Sequence, residues 1–264
     1  MHILMIGAGR VAEAIISGLA AQTDTKVVIT VSNNADSERR LKLAEKYGVN
    51  TTDNWRNAVG QADVVISAAP PSVHERLFQD LSPLLSGQLV ITVAAGIDTT
   101  FMEAQLPKGT PVCWIMPNTA AQLQASISTY VCGKFVNSQH REFISMILAA
   151  IGEYEELSEE QVHDLTAITG SAPAFVYLFC EALEQAAVQY GVSNEQARKL
   201  VTMMVAGSAK MLEAGYSPSE LRKQVTTPGG STAAGLKVLE DGKFSELIGA
   251  AVKATNAHAR GRSN

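Results

Sequence analysis

"HILMIGAGRVA", residues 2–12, reads as a strand that turns directly into a helix. His2–Ile6 has the apolar, partly β-branched character of a buried strand, and it runs without a break into Gly7-Ala8-Gly9-Arg10-Val11-Ala12. That hexapeptide is GxGxxA, a form of the turn by which a strand enters a helix around a dinucleotide pyrophosphate. Each small residue has a reason. Gly7 permits the tight turn, Gly9 lets the backbone approach the pyrophosphate, and Ala12 keeps the helix close to the strand. The free N–H groups at the helix start then face the anion. A bare strand-to-helix turn uses the same residues, but a position directly after a strand and before a helix favours a dinucleotide site over Gly7, Ala8, Gly9, Arg10 and Val11.

Outward from this start, short β-rich runs at Ile3–Ile6, Val27–Val31, Val64–Ile66, Leu89–Val93, Val112–Met116 and Ile127–Val131 alternate with helical spacing at Val11–Leu19, Ser37–Tyr47 and Pro71–Leu77. Ser138–Ile151 closes the region as an amphipathic helix. The alternation implies parallel βαβ units and a doubly wound sheet. After Glu153–Leu157 it stops, and helix-length segments follow at roughly 160–168, 173–190, 194–214, 218–225, 231–241 and 243–259. Two domains are expected, 1–155 for the dinucleotide and 156–264 all helical, which suits a chain of 264 residues. Along Pro173–Tyr190 only Glu181, Glu184, Gln185 and Gln189 are strongly polar, on one narrow stripe. A helix so apolar needs enclosure that some 110 residues hardly supply, so a second subunit is expected to cover it.

Composition bounds the partners. An apolar share of 46% with 18% charged residues is that of a globular protein with a full core, and a net charge of −5 argues against nucleic acid. No cationic leader precedes the first apolar run, and the run Ala172–Cys180 is nine residues, short of the ~18 of a membrane helix. A cytoplasmic protein with a small-molecule substrate is expected. Cys113, Cys132 and Cys180 are far apart along the chain with no CxxC spacing, so they read as small buried apolar residues and not as a disulfide framework or zinc site. No metal site is expected.

The second strand ends in Val31-Ser32-Asn33-Asn34, where an acidic residue would select NAD by its ribose hydroxyl. Neutral Ser32, Asn33 and Asn34, followed by Arg39 and Arg40, favour NADPH, with Asp36 counting the other way and NADH as the alternative. Ala68-Ala69-Pro70 after the third strand and Ala95-Gly96 after the fourth are small residues at carboxyl ends of strands, where a flat cofactor can approach. After the fifth comes Pro117-Asn118; Asn118 offers a donor and an acceptor to a carboxamide, or else caps a turn. Near the C-terminus stands Val225-Thr-Thr-Pro-Gly-Gly-Ser-Thr232, readable as a helix start capped by Ser231 or Thr232, or as a bare backbone cradle.

Taken in order, Gly7–Ala12, Ala94–Ile97, Met116–Thr119, Thr169-Gly-Ser-Ala-Pro-Ala174 and the 225–232 stretch resemble the pyrroline-5-carboxylate reductase family over nearly the whole chain. The resemblance implies a Rossmann domain followed by an all-α dimerisation domain, a homodimer or a larger assembly built from it, and hydride delivery from NADPH to the C=N carbon of a five-membered cyclic imine. By position, Ala95, Pro117 and Asn118 line the nicotinamide and Ser171 faces the substrate. Thr226, Thr227, Gly229, Gly230 and Ser231 cradle the substrate carboxylate, and Thr232 hydrogen-bonds the imine nitrogen. The chain departs from the family pattern at Ala69, where a lysine is usual, at Ala172, where a glycine is usual, and at Tyr216, where an acidic residue is common.

Reduction of a protonated C=N asks mainly for positioning. Consistently, 170–190 holds no lysine, which argues against a hydroxyacid dehydrogenase, and His74 and His163 read as structural or exposed. Two alternatives stay open from the residues: a reductase of another cyclic imine or small acid, and a non-catalytic dinucleotide-binding regulator.

Overall fold

The computed structural model describes residues 1–22, 26–33 and 36–261, and the chain divides into two compact units, Met1–Ser171 with the chain from Asn256 on, and Ala172–Thr255. The change of sequence character near 155 and this division in packing are separate features. Between them lies a helix that packs within the first unit.

The first unit is built on one sheet. Its strands are β1 (His2–Ile6), β2 (Val28–Ser32), β3 (Asn50–Thr52), β4 (Val64–Ser67), β5 (Leu89–Thr92), β6 (Val112–Met116), β7 (Ser126–Cys132) and β8 (Gly152–Glu156), in spatial order 3-2-1-4-5-6-7-8. Helices α1 (Arg10–Ala20), α2 (Ser37–Tyr47), α3 (His74–Leu81), α4 (Thr99–Gln105), α5 (Ser138–Ala149) and α6 (Glu159–Thr166) connect or cover it. All pairs from β3 to β6 are parallel. The reversal of strand order between β1 and β4 makes the switch point at which such sheets take a ligand beyond their carboxyl ends.

One expectation needs correction, and two strands join the expected ones. β7 runs antiparallel to β6, with Cys113 opposite Cys132, and is not a further parallel strand. Only Pro117–Ala125 joins the two strands, too short for the dozen-residue crossover that a parallel return requires, and Gln124 turns the chain at φ +56°. The two cysteines, distant along the chain, therefore face each other as free thiols. In addition, β3 and β8 form the two edges, although Asn50-Thr51-Thr52 and Gly152-Glu-Tyr-Glu-Glu156 carry little apolar signal. Edge strands with polar or charged residues discourage pairing with other chains.

Strand alternation divides the core between the two faces of the sheet. Ile3 and Met5 point to the side of α1 and α5, with Ile15, Ile16 and Leu148, whereas Leu4 and Ile6 point to Phe78, Leu81 and Met102 of α3 and α4. Each such fully buried side chain stabilises the fold by about 1.5–3 kcal/mol relative to exposure. Gly18 lets α1 cross the end of α5 closely, since a β-carbon there would lie 1.9 Å from the carbonyl oxygen of Ala150. Beyond α5, Val162 of α6 packs with Trp114 and Met116 of β6.

A π-helical turn, Ala167–Ser171, joins α6 to α7 (Ala172–Gln189), so that one continuous helix runs from Glu159 to Gln189; by length and composition alone it could cross a membrane. The second unit continues with α8 (Asn194–Glu213), α9 (Pro218–Gln224), α10 (Ser231–Asp241) and α11 (Phe244–Gly261), close to the expected segments. Helices α7 and α8 form a hairpin linked by Arg198 and Glu184 at 3.7 Å. Its turn is closed by Gly191 at φ +89° and by a reciprocal Ser193–Gln196 cap. No residue of α7 is buried, and Tyr177, Leu178, Met203 and Leu247 are each more than half exposed in the single chain. Contiguous apolar surface of this kind marks a site of association.

Candidate functional site

The GxGxxA turn has the geometry that an approaching pyrophosphate needs. Gly7 sits at φ +107°, and a β-carbon there would stand 2.8 Å from the carbonyl oxygen of Ala68. Its N–H donates to Ser32 O at 2.8 Å, joining the ends of β1 and β2. Gly9 is the N-cap of α1, and among the described residues no atom lies within 4 Å of where its β-carbon would be. No side chain caps α1, and its first N–H groups have no intrahelical acceptor. Ala8 and Ala12 are buried, Val11 is half-buried and Arg10 is exposed. Taken together, these features fit a dinucleotide pyrophosphate at this turn.

Beside it, Ser32 is buried, and Asn33 is half-buried with its amide donating to Asp36 O at 3.1 Å. Asn34 lies outside the described residues. Asp36 caps α2 by accepting from the Arg39 N–H at 2.9 Å. The two neighbouring arginines part company. Arg39 reaches the loop, its Nε donating to Ala8 O and its Nη2 lying 3.0 Å from Glu13 Oε2. Arg40 is buried and structural, donating to Thr52 O at 2.9 Å and pairing with Asp53.

Further along the same sheet edge, Ala68 and Ala69 are half-buried, Pro70 and Ala95 are exposed, and Gly96 turns at φ +77°. Beneath them lies a residue whose part the sequence did not disclose. His74 is completely buried; its Nδ1 lies 3.0 Å from Pro70 O, and its Nε2 lies 2.8 Å from Ser67 Oγ and 3.0 Å from Thr92 Oγ1. Since a carbonyl only accepts, Nδ1 carries the proton and Nε2 accepts from a hydroxyl. Burial pushes the pKa of His74 below its ordinary value, against the opposing pull of the Pro70 and Pro71 carbonyls. Thr92 Oγ1 in turn accepts from the Ala94 N–H at 3.2 Å, so one neutral imidazole links the loops after β4 and β5. The loop after β5 is also held from α6: Glu159 accepts from the Thr100 N–H at 3.0 Å and from the Thr99 and Thr100 hydroxyls, and His163 Nε2 lies 2.9 Å from Asp98 Oδ2.

Asn118 takes the capping alternative. Its Oδ1 accepts from the Ala120 N–H at 2.9 Å, and its amide donates to Thr169 O at 3.1 Å, which ties the end of β6 to the π-helical turn that ends in Ser171. Both halves of its carboxamide are thus engaged within the protein. Pro117, next to it, is half-buried.

In the second unit, Thr226–Thr232 gather at the start of α10. Gly229 adopts φ +74°, and the Gly230 N–H donates to Thr227 O at 2.9 Å, closing the Pro228-Gly229 turn. Thr226 Oγ1 donates back to Arg222 O at 2.5 Å. The N-cap is Gly230, with no side-chain bond, so neither Ser231 nor Thr232 caps the helix. Instead both stand inside its first turn, exposed, beside N–H groups with no intrahelical acceptor. By contrast α2, α4, α5, α6, α8 and α9 all receive side-chain caps. Glycine-led, bare starts occur at α1 and α10.

Comparison with known proteins agrees with both halves. Residues 159–262 match a family model described as pyrroline-5-carboxylate reductase dimerisation, and residues 2–96 match one described as NADP oxidoreductase, coenzyme F420-dependent. A pyrroline-5-carboxylate reductase of Corynebacterium melassecola is 35% identical over 263 residues, covering 97% of this chain and 96% of the relative. Among solved structures, a pyrroline-5-carboxylate reductase from Coxiella burnetii superposes with a TM-score of 0.91 at 34% identity, covering 99% of this chain and 98% of that one. The Plasmodium falciparum pyrroline carboxylate reductase, solved with NADP bound, gives 0.88 at 25% identity, covering 100% and 98%.

Proposed function

Because the chain belongs to the pyrroline-5-carboxylate reductase family, an NAD(P)H-dependent group of enzymes, we propose that it reduces 1-pyrroline-5-carboxylate to L-proline with NADPH. The observation that carries this reading is the pair of bare, glycine-led helix starts at Gly9 and Gly230, one suited to a pyrophosphate and the other to a carboxylate. When bound, the reduced nicotinamide supplies the hydride that adds to the C=N carbon.

The chain's own residues bind and orient. The N–H groups that follow Gly9 hold the pyrophosphate, and Ala8, Arg10 and Val11 shape its approach. Ala68, Ala69 and Pro70 would hold the ribose side of the dinucleotide, and the small residues Ala95, Gly96 and Pro117 would admit the nicotinamide. Asn118 acts at one remove, by holding the turn that carries Ser171 toward the substrate. Ser32 and Asn33, with Asn34 next in sequence, would contact the adenosine ribose, and Arg39 would supply positive charge for a 2′-phosphate. The backbone of Thr226, Thr227, Gly229, Gly230 and Ser231 cradles the substrate carboxylate. Thr232 would place its hydroxyl at the imine nitrogen and hydrogen-bond it as the C=N double bond becomes a single bond. No strong general base is needed, because the protonated imine is already electrophilic.

The dimerisation region forms a homodimer by covering the open face of the helical unit, and the enzyme works in the cytoplasm. Mixing the protein with NADPH and 1-pyrroline-5-carboxylate while following nicotinamide absorbance tests the reading. Turnover only with a six-membered imine, or NADPH binding without turnover, would replace it with one of its rivals.

A further inference from the structure

Cys113 and Cys132 lie directly opposite each other on β6 and β7. The Gly133 N–H donates to Val112 O at 2.8 Å, so 112 and 133 are a hydrogen-bonded pair and 113 and 132 fall at the intervening, non-hydrogen-bonded place. There the facing Cα atoms of an antiparallel ladder approach to about 4.5 Å and the side chains are closest. That is within the ~4.4–6.8 Å a disulfide spans, so the backbone spacing of the pair suits the bond. The two thiols also differ in access. Cys113 is fully buried, whereas Cys132 is half-buried at the end of its strand. β-branched residues would fill this place with better strand preference; two facing thiols, one of them reachable, add a two-electron chemistry.

We propose that Cys113 and Cys132 form a reversible disulfide on exposure to a peroxide, with Cys132 the thiol that reacts first and Cys113 the one that resolves it. The Cys132 thiolate attacks one oxygen of hydrogen peroxide; the O–O bond breaks, hydroxide leaves, and the sulfur becomes a sulfenic acid. Cys113 sulfur then attacks Cys132 sulfur, the S–O bond breaks, and the departing hydroxide takes up the Cys113 proton as water. In sum, two thiols are oxidised to one disulfide and one peroxide is reduced to two waters. The assignment of roles agrees with the local electrostatics. Burial pushes the Cys113 thiol well up, while the hydrogen bond from Cys113 draws Cys132 down despite partial burial and the nearby Glu156 carboxylate; Arg141 lies on the same side and favours the thiolate. Cys180, on α7, lies in the other unit and serves as an internal control.

The test is a thiol count by mass. The reduced full-length protein is treated with hydrogen peroxide, denatured, and capped with a maleimide. Two of the three thiols should escape capping, with the remaining label on Cys180 and a peptide cross-link between Cys113 and Cys132, all reversed by dithiothreitol. Cys180→Ser should keep the cross-link. Cys132→Ala should abolish it, and Cys113→Val, which suits a buried strand, should leave a sulfenic acid on Cys132 that dimedone traps. Three capped thiols after peroxide would overturn the proposal. So would a cross-link to Cys180 or between chains, or dimedone labelling of Cys113 in place of Cys132.

Discussion

Gly7 and Ala68 approach so closely that a methyl group on residue 7 would stand 2.8 Å from the carbonyl oxygen of Ala68. Gly9, two residues on, has no described atom within 4 Å of its β-carbon position and an ordinary φ of −69°. The two glycines should therefore fail differently. Gly7→Ala meets both a backbone clash and a positive φ, and should cost about 2–3 kcal/mol in denaturant titration. Gly9→Ala should fold within about 1 kcal/mol of wild type yet bind NADPH at least about tenfold more weakly, a loss of ~1.4 kcal/mol. Unchanged affinity in Gly9→Ala would remove the pyrophosphate from this turn.

Arg39 and Arg40 are adjacent in sequence but face different tasks. Arg39→Ala should raise the KM for NADPH about tenfold, equivalent to ~1.4 kcal/mol, and leave that for NADH nearly unchanged, since only one dinucleotide carries the 2′-phosphate. Arg40→Ala should leave that ratio alone and instead lower stability by about 2 kcal/mol, because Thr52 O loses its charged donor. Paired steady-state and melting measurements separate the two. Equal shifts for both cofactors in Arg39→Ala would count against NADPH selection by this residue.

His74 should couple stability to mildly acid pH. Its pKa is depressed in the folded protein by burial, so the unfolded chain takes up the proton first as pH falls. The stability it contributes is present above the ordinary imidazole range, and it is lost as pH drops from about 6.5 toward the folded-state value. His74→Gln should cost about 1–3 kcal/mol at pH 7 through the orphaned Ser67, Thr92 and Pro70 groups. It should also show a shallower decline between pH 7 and pH 5 than wild type. His140, whose pKa burial also lowers, is present in both proteins, so their difference isolates His74. Parallel pH profiles would contradict a neutral His74.

An open helical face predicts association. Sedimentation at micromolar concentration should give a dimer or a multiple of it, and Leu178→Glu, on the exposed face of α7, should dissociate it and abolish turnover. A fully active wild-type monomer would show that the apolar face needs no cover.

Much of this was legible in the residues because one physical pattern repeated. Ile3–Ile6, Val64–Ile66 and Leu89–Ile91 are apolar on both faces since helices cover both sides of the sheet, and small residues follow each within a few positions. The edges escaped notice for the converse reason, as Asn50–Thr52 and Gly152–Glu156 bury little and so show no apolar run. The direction of β7 depended on the length of the preceding connection, not on its own residues. Spatial neighbours were hidden altogether: nothing in the spacing of Ser67, His74 and Thr92, or of Cys113 and Cys132, marks them as partners until the strands are aligned. Asn118 and Thr232 show the limit from the other side. A residue type suited to a ligand was engaged within the protein at Asn118, and one suited to a cap was left without that task at Thr232.

Isotope transfer reports hydride delivery to the imine carbon of pyrroline-5-carboxylate. With NADPH deuterated at the transferred C4 position, the product should be L-proline carrying one deuterium on the former C=N carbon, formed in step with NADPH loss. Thr232→Val should give the same product far more slowly with cofactor affinity unchanged. Proline without deuterium, or full NADPH recovery in the presence of the imine, would contradict the account.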